Sequence, residues 1–182
     1  VEPDTTCFAF VGDSTFFASA ITGVVNAVYN QANMVLVVLD NSTTAMTGHQ
    51  PHPGTGRTVM GEIVQKINIE QVLRGIGVTE IETINPLELE ASVSCVKRMA
   101  EKSGVRAIIF KAPCIAVTKP KAPLHVYQDS CIGCKKCIRD LGCPAIVMND
   151  GKICIDASMC TGCHLCSQVC PVCAIAGGDD HE

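Results

Sequence analysis

Short apolar runs alternate with helix-spaced apolar positions through the first 111 residues. Cys7–Val11 is a strand-length run that stops at Gly12. Ile21, Val24, Val25 and Val28 then fall on one face at helical spacing, which predicts a helix over about Phe16–Gln31. Met34–Leu39 reads as a second, fully buried strand. A polar, glycine-rich stretch follows from Asp40 to Arg57. Beyond it the pattern predicts a helix over about Ile69–Arg74, a strand over Ile81–Ile84 and a strand over Arg106–Lys111. Between those strands Pro86 precedes a helix over Leu87–Lys102, and Gly104 closes it. Strands that alternate with helices predict an α/β unit with a parallel sheet. Such sheets bind ligands beyond the carboxyl ends of their strands, where Gly12–Thr15 and the loop 41–56 leave the sheet.

The alternation ends at Lys111. From there to Pro123, three prolines and three lysines predict a semi-rigid extended linker. A cysteine-rich repeat follows, with Cys131 and Cys160 29 residues apart and the Cys-Pro pairs 27 apart. Ala145-Ile146 echoes Ala174-Ile175, and the polar tail Gly177–Glu182 reads as frayed. The expected boundaries are an α/β domain over 1–115, a linker over 116–124 and a cysteine-rich domain over 125–178.

Eight of the 13 cysteines form two ordered runs. The first is Cys131-x2-Cys134-x2-Cys137-x5-Cys143-Pro144, the second Cys160-x2-Cys163-x2-Cys166-x3-Cys170-Pro171. Thiolates suit iron and sulfide, and the two-cluster ferredoxin pattern takes the fourth ligand of each cluster from the opposite run. The spacing therefore assigns Cys131, Cys134, Cys137 and Cys170 to one [4Fe–4S] cluster, and Cys160, Cys163, Cys166 and Cys143 to the other. Gly133 and Gly162 permit the tight curl. The two extra residues before Cys143 read as a bulge in the loop. Zinc sites use pairs of C-x2-C rather than triplets, and an odd number of cysteines with no secretory segment argues against disulfides. Cys7, Cys95, Cys114, Cys154 and Cys173 are expected to be small buried hydrophobes.

A formal charge of −4 and the absence of tryptophan argue against a nucleic-acid binder. The longest apolar run is strand-sized, so no membrane span is expected and a reducing cytoplasm fits. A first residue of Val1 fits a processed product or part of a longer chain.

The loop edge of the α/β unit carries Gly12-Asp13-Ser14, then Asp40-Asn41-Ser42-Thr43 after the next strand. Asp13 and Asn41 are hard oxygen donors at adjacent strand ends, and with phosphate oxygens they could complete a Mg²⁺ site. Gly12 and the following helix suit a phosphate, although the same residues serve equally as a helix cap and a turn. His49 and His52 could transfer protons. Hydrogen bonds to the loop or to a diphosphate are the favoured role for both, and His49 is the one kept as a catalytic candidate. Lys135, Lys136 and Arg139 flank the first run and could steer an acidic ferredoxin.

Gly12-Asp-Ser-Thr-Phe-Phe17, together with the loop from Asn41 through Met46-Thr-Gly-His-Gln50 to Gly56, resembles the indolepyruvate ferredoxin oxidoreductase alpha subunit. The resemblance covers essentially the whole chain and corresponds to the C-terminal portion of that subunit. It implies a parallel-sheet thiamine diphosphate-binding domain followed by a small α+β bacterial-type 2[4Fe–4S] ferredoxin domain. It implies Mg²⁺ ligation by Asp13, Asn41 and the main-chain oxygen of Thr43. By the same resemblance Gly12 and Ser14 lie at the diphosphate, and Met46, Thr47, Gly48, His49 and Gln50 line the diphosphate and thiazolium. Ser14 departs from the glycine of the family's motif, and Ala18 stands where many relatives would carry a histidine.

The implied activity is oxidative decarboxylation of an arylpyruvate, with the acyl group passed to coenzyme A and electrons passed through the clusters to ferredoxin. The activating glutamate is expected on a pyrimidine-binding domain that no segment here resembles. The chain is thus expected to be inactive alone and to need the remainder of the alpha subunit and a beta subunit. Two alternatives remain at this point: a stand-alone electron carrier or adaptor with a thiamine-type scaffold, and the same chemistry on pyruvate or another 2-oxoacid.

Overall fold

The computed structural model describes residues 5–177, which fall into two compact units, 5–117 and 118–177. In the first unit β1 (Cys7–Gly12), β2 (Met34–Asp40), β3 (Glu80–Ile84) and β4 (Val105–Lys111) form a parallel sheet in the order β1-β2-β4-β3. Parallel neighbours need a crossover, and helices supply it. The crossover from β1 to β2 is α2 (Ile21–Tyr29), that from β2 to β3 is α3 (Ile69–Ile76), and that from β3 to β4 is α4 (Leu89–Glu101).

The period of two along β2 sorts the core into layers. Leu36 and Val38 pack with Phe16, Val24, Ile69 and Leu73, which belong to the α2 and α3 side. Val35 and Val37 pack with Cys95 and Met99 of α4. Both faces of the sheet are therefore covered, as a parallel sheet requires. The edge strand β1 is less protected, and Phe10 is 68% exposed.

The helix expected from Phe16 begins earlier. Its helical backbone starts at α1 (Asp13–Thr15) and passes through a π-helical turn, Phe16–Ala20, before α2. The wider turn seats Phe16 fully in the core. Such turns recur at functional sites. The helix expected over Leu87–Lys102 covers Leu89–Glu101.

The second unit contains β5 (Leu124–Val126), α5 (Lys136–Leu141), β6 (Ile146–Asn149), β7 (Lys152–Ile155), α6 (Leu165–Val169) and β8 (Ile175–Gly177). Strand β5 pairs antiparallel with β8, and β6 with β7 through a turn in which Asp150 and Gly151 both have positive φ. The 29-residue repeat is visible in the hydrogen bonds: Tyr127 donates to Ala174 O and Asp156 to Ala145 O, both at 2.8 Å.

Two expectations change here. The stretch expected as a semi-rigid extended linker has structure and contacts of its own: Ile115–Val117 is a 3-10 turn, Lys121 N–H donates to Thr161 O at 3.3 Å, and Leu124 lies in β5. The two extra residues of the first run are not a loop bulge. One lengthens α5 to six residues, against five in α6, and the other is Gly142, which closes the helix at φ 57°. Residues 178–182 of the expected frayed tail lie outside the described residues.

Candidate functional site

Asp13 stands at the carboxyl end of β1 and is 3% exposed. Its Oδ1 accepts from Ser14 N–H at 2.8 Å, and its Oδ2 accepts from Ser42 N–H at 2.8 Å. The second bond ties β1 to the turn that follows β2, because β1 and β2 are in register up to Gly12 and Leu39. Ser42 adopts φ 62° within this turn. Asn41 Oδ1 accepts from Thr43 N–H at 3.1 Å, and Thr43 is buried. Ser14 Oγ accepts from Thr44 Oγ1 at 3.0 Å. Gly12, Asp13, Ser14, Asn41 and Thr43 thus meet at one corner of the sheet.

His52 was expected to hydrogen-bond the loop or a diphosphate, and it reaches the corner itself. Its Nε2 lies 3.1 Å from Asp13 Oδ2, and Gly54 N–H donates to Nδ1 at 3.1 Å. An acceptor at Nδ1 puts the proton of the neutral ring on Nε2, so the imidazole donates to Asp13. The Phe17 ring lies 5.8 Å from the imidazole, and a Cβ at Gly54 would sit 3.0 Å from both rings. Burial raises the Asp13 pKa, and nearby Asp40 adds to this against the Ser14 N–H and His52. Burial also acts on Asp40, but its 3.0 Å contact with Lys111, helped by the Ser42 N–H and by Asp13, leaves the Asp40 pKa lowered.

Asp40 and Lys111 are facing residues in the register of β2 and β4. Together with His52, Lys66 and Thr83 they line a cavity of about 470 Å³ beyond the strand ends. Asp40, Lys111 and Thr44 were not expected as site residues. The signal for the first two is their shared position at the ends of neighbouring strands, which requires the strand order.

Met46, Thr47, Gly48, His49 and Gln50 lie on the exposed tip of the loop. A 3-10 turn, Ala45–Thr47, and Gly48 at φ 114° shape the tip, and Gln50 bonds back to Thr47 and Thr44. They are therefore set apart from the Asp13 corner by burial.

The cysteines meet in the second unit. Cys131, Cys134, Cys137 and Cys170 line one cavity with Val126, Ile132, Ile153, Pro171, Val172, Ala174 and Ile175, and no charged side chain lines it. Burial raises the Cys137 thiol, and Cys170 and Cys134 beside it add to the shift. Burial pushes Cys166 up to about 11, with Cys163, Cys160 and Cys143 adding to it. The first four thus share one cavity, and Cys143, Cys160 and Cys163 are close enough to Cys166 to act on its charge, while among the described residues no three His, Cys, Asp or Glu side chains are placed to share a single metal ion. Bare thiolates so placed repel one another, and a cationic iron–sulfide core is a partner whose charge and softness fit them. Of the remaining cysteines, Cys95 is buried as expected, whereas Cys7 and Cys173 are exposed and Cys114 and Cys154 half-buried. The edge position of β1 accounts for the exposure of Cys7. Among the described residues no helix is long and apolar enough to cross a membrane.

Residues 1–110 match the family model of the C-terminal TPP-binding domain of thiamine pyrophosphate enzymes. The chain is 45% identical over 169 residues to the indolepyruvate oxidoreductase subunit IorA of Methanothermobacter thermautotrophicus, covering 92% of this chain and 27% of that protein. It is 40% identical to the IorA subunit of Archaeoglobus fulgidus, covering 90% of this chain and 27% of that one. It thus spans about a quarter of the length of these relatives. A solved structure described as a thiamin diphosphate-dependent enzyme from Mycobacterium smegmatis aligns with 60% of this chain and 18% of its own, at a TM-score of 0.42 and 21% identity.

Proposed function

Because the chain belongs to the thiamine pyrophosphate enzyme family, through the C-terminal TPP-binding domain, we propose that it is the thiamine- and cluster-bearing part of a 2-oxoacid ferredoxin oxidoreductase acting on indolepyruvate or a related arylpyruvate. The IorA relatives support this reading at about 90% coverage of this chain. The observation that carries it is the presence in one chain of a buried carboxylate docked on the 41–43 turn and of two groups of four cysteines.

When bound, thiamine diphosphate supplies the carbanion-stabilising chemistry of decarboxylation, and iron–sulfur clusters supply the one-electron steps. The chain's own residues prepare the places for them. Asp13, Asn41 and the Thr43 main-chain oxygen would hold Mg²⁺. The Ser42 N–H and His52 restrain one oxygen of Asp13, so the carboxylate does not have to be ordered when a cation arrives. Gly12 and Ser14 would lie at the diphosphate, and Met46, Thr47, Gly48, His49 and Gln50 would line the diphosphate and thiazolium. Cys131, Cys134, Cys137 and Cys170 would hold one cluster, and Cys160, Cys163, Cys166 and Cys143 the other.

Met46, Val59, Met60 and Ile63 are each at least 85% exposed on or near the same loop. A group of apolar side chains left in water suits an interface. The occupant we assign is the pyrimidine-binding domain that supplies the activating glutamate, with a beta subunit completing the enzyme. Ferredoxin is the electron acceptor, and coenzyme A takes the acyl group.

The test begins with anaerobic loading of the chain with iron, sulfide, thiamine diphosphate and Mg²⁺. With arylpyruvate, coenzyme A and a viologen dye it shows no turnover alone, and turnover appears when the upstream domain and beta subunit are added. Turnover by the chain alone would defeat the divided site. No acid-labile sulfide after loading would defeat the ferredoxin assignment.

A further inference from the structure

The two cysteine runs differ in how much of their rim is covered. Ile132, Gly133, Cys134, Lys135 and Lys136 are all exposed. Their counterparts 29 residues on, Thr161, Cys163, His164 and Leu165, are half-buried, and Gly162 is buried. The cover is the chain's own segment at Lys121 and Ala122. A Cβ at Gly162 would lie 2.6 Å from Ala122 O and 2.7 Å from Lys121 Cβ, while a Cβ at Gly133 would meet no atom within 4 Å. Both glycines have positive φ, so both serve the curl, but only the second also admits a passing chain.

The open rim also carries cations of its own run, whereas the exposed lysine over the second run is Lys121 of the covering segment. Lys135, Lys136 and Arg139 lie on the first run, where the second run carries His164, Leu165 and Gln168. Arg139 Nη2 donates to Cys134 O at 3.2 Å, which holds the guanidinium against the rim. Lys136 pairs with Asp140, the acidic residue within this group.

We infer that the rim 132–136, with Arg139, is the docking face for an acidic one-electron carrier protein, which exchanges electrons through the site of Cys131, Cys134, Cys137 and Cys170. The inference rests on the cluster reading above. Electron exchange weakens with distance, and the exposed Cys134 permits a closer approach than the half-buried or buried cysteines of the covered run. Complementary charge raises the encounter rate and orients the carrier. Each encounter moves one electron: the reduced cluster loses one, the carrier gains one, and no atom is transferred.

The test uses the anaerobically reconstituted full chain, reduced with dithionite, freed of excess reductant and mixed in stopped flow with an oxidised acidic plant-type [2Fe–2S] ferredoxin. K135E/K136E should lower the second-order rate by about 10-fold or more at low salt and remove its fall with rising ionic strength. K119E/K152E makes the same change in net charge at exposed lysines outside the rim residues 132–139, and should leave the rate within about threefold. Oxidation by a small uncharged quinone should be equal in all three proteins, which separates docking from cluster potential. The milder K136Q/R139Q should move in the same direction as the reversal. An unchanged rate in K135E/K136E, or an equal loss in K119E/K152E, overturns the docking face. Wild-type chain that takes up no iron and labile sulfide overturns the cluster reading first, and the inference with it.

Discussion

In the α/β unit the largest fully buried side chains, among them Phe16, Leu73, Met99 and Ile108, are sealed on both faces of a four-stranded sheet. The cysteine-rich unit seals smaller groups between two-stranded ladders: Leu124, Ala145, Ile146, Ile153, Val169, Ala174, Ile175 and the thiols of Cys137 and Cys166. The first unit has a core that accounts for its fold by hydrophobic burial. The second falls in the size range where such burial alone is marginal, and staples or metals make up the difference. In one unit the site sits at the end of a finished scaffold; in the other the site occupies the middle of the fold.

Stripping iron is the largest test of that contrast. Anaerobic chelation should abolish amide-exchange protection across 118–177 while the strands of the α/β unit keep theirs. The scale is that of structural metal sites, about 10–16 kcal/mol in small zinc domains. Protection that survives in the cysteine-rich unit would erase the contrast. The reciprocal experiment is Leu73→Ala, which hollows the fully buried centre of the α/β unit. It should cost about 2–5 kcal/mol in denaturant unfolding of that unit and leave labile sulfide per chain unchanged.

The same contrast explains what could be read from the sequence. Parallel strands and helices were legible because Val35–Val38 and Ile108 belong to uninterrupted apolar runs, and hydrophobic runs fix register in a buried sheet. The cysteine grouping was legible from spacing, since local curl and ligand count leave little choice. His52 with Asp13, and Lys111 with Asp40, are 39 and 71 positions apart, and their meeting follows from loop geometry and strand order. The cover over Gly162 was hidden for a similar reason: prolines and lysines read as a semi-rigid extended linker, while a backbone bond from Lys121 to Thr161 lays that segment on the second run.

His52→Ala sharpens the contrast at an intermediate scale. It should weaken Mg²⁺–thiamine diphosphate binding by the assembled complex about 10–100-fold, the range for residues that orient a metal ligand. Equilibrium dialysis gives the affinity, and cluster content should not change. An unchanged affinity would show that Asp13 is ordered without the imidazole. Gly54→Ala provides the steric counterpart, because the added methyl meets the His52 and Phe17 rings at 3.0 Å. It should weaken binding in the same direction if the rings cannot yield.

The smallest effect expected is a pH effect on the α/β unit alone. Arg98 donates to Glu82, and this bond holds the Glu82 carboxyl below its ordinary range even against partial burial. A carboxylate with a lowered folded pKa stabilises the fold above its unfolded value, about 4.3, and that contribution is lost as pH falls through the folded value. Glu82→Gln should therefore lower the denaturant midpoint slightly at pH 7 and approach wild type once Glu82 is protonated in both the folded and the unfolded state. The pair is partly exposed, so added salt should shrink the difference at pH 7. Cluster content should follow neither the substitution nor the salt, because Glu82 belongs to the unit whose fold rests on apolar layers. A midpoint difference that grows in acid would mean that burial, rather than Arg98, governs this carboxylate.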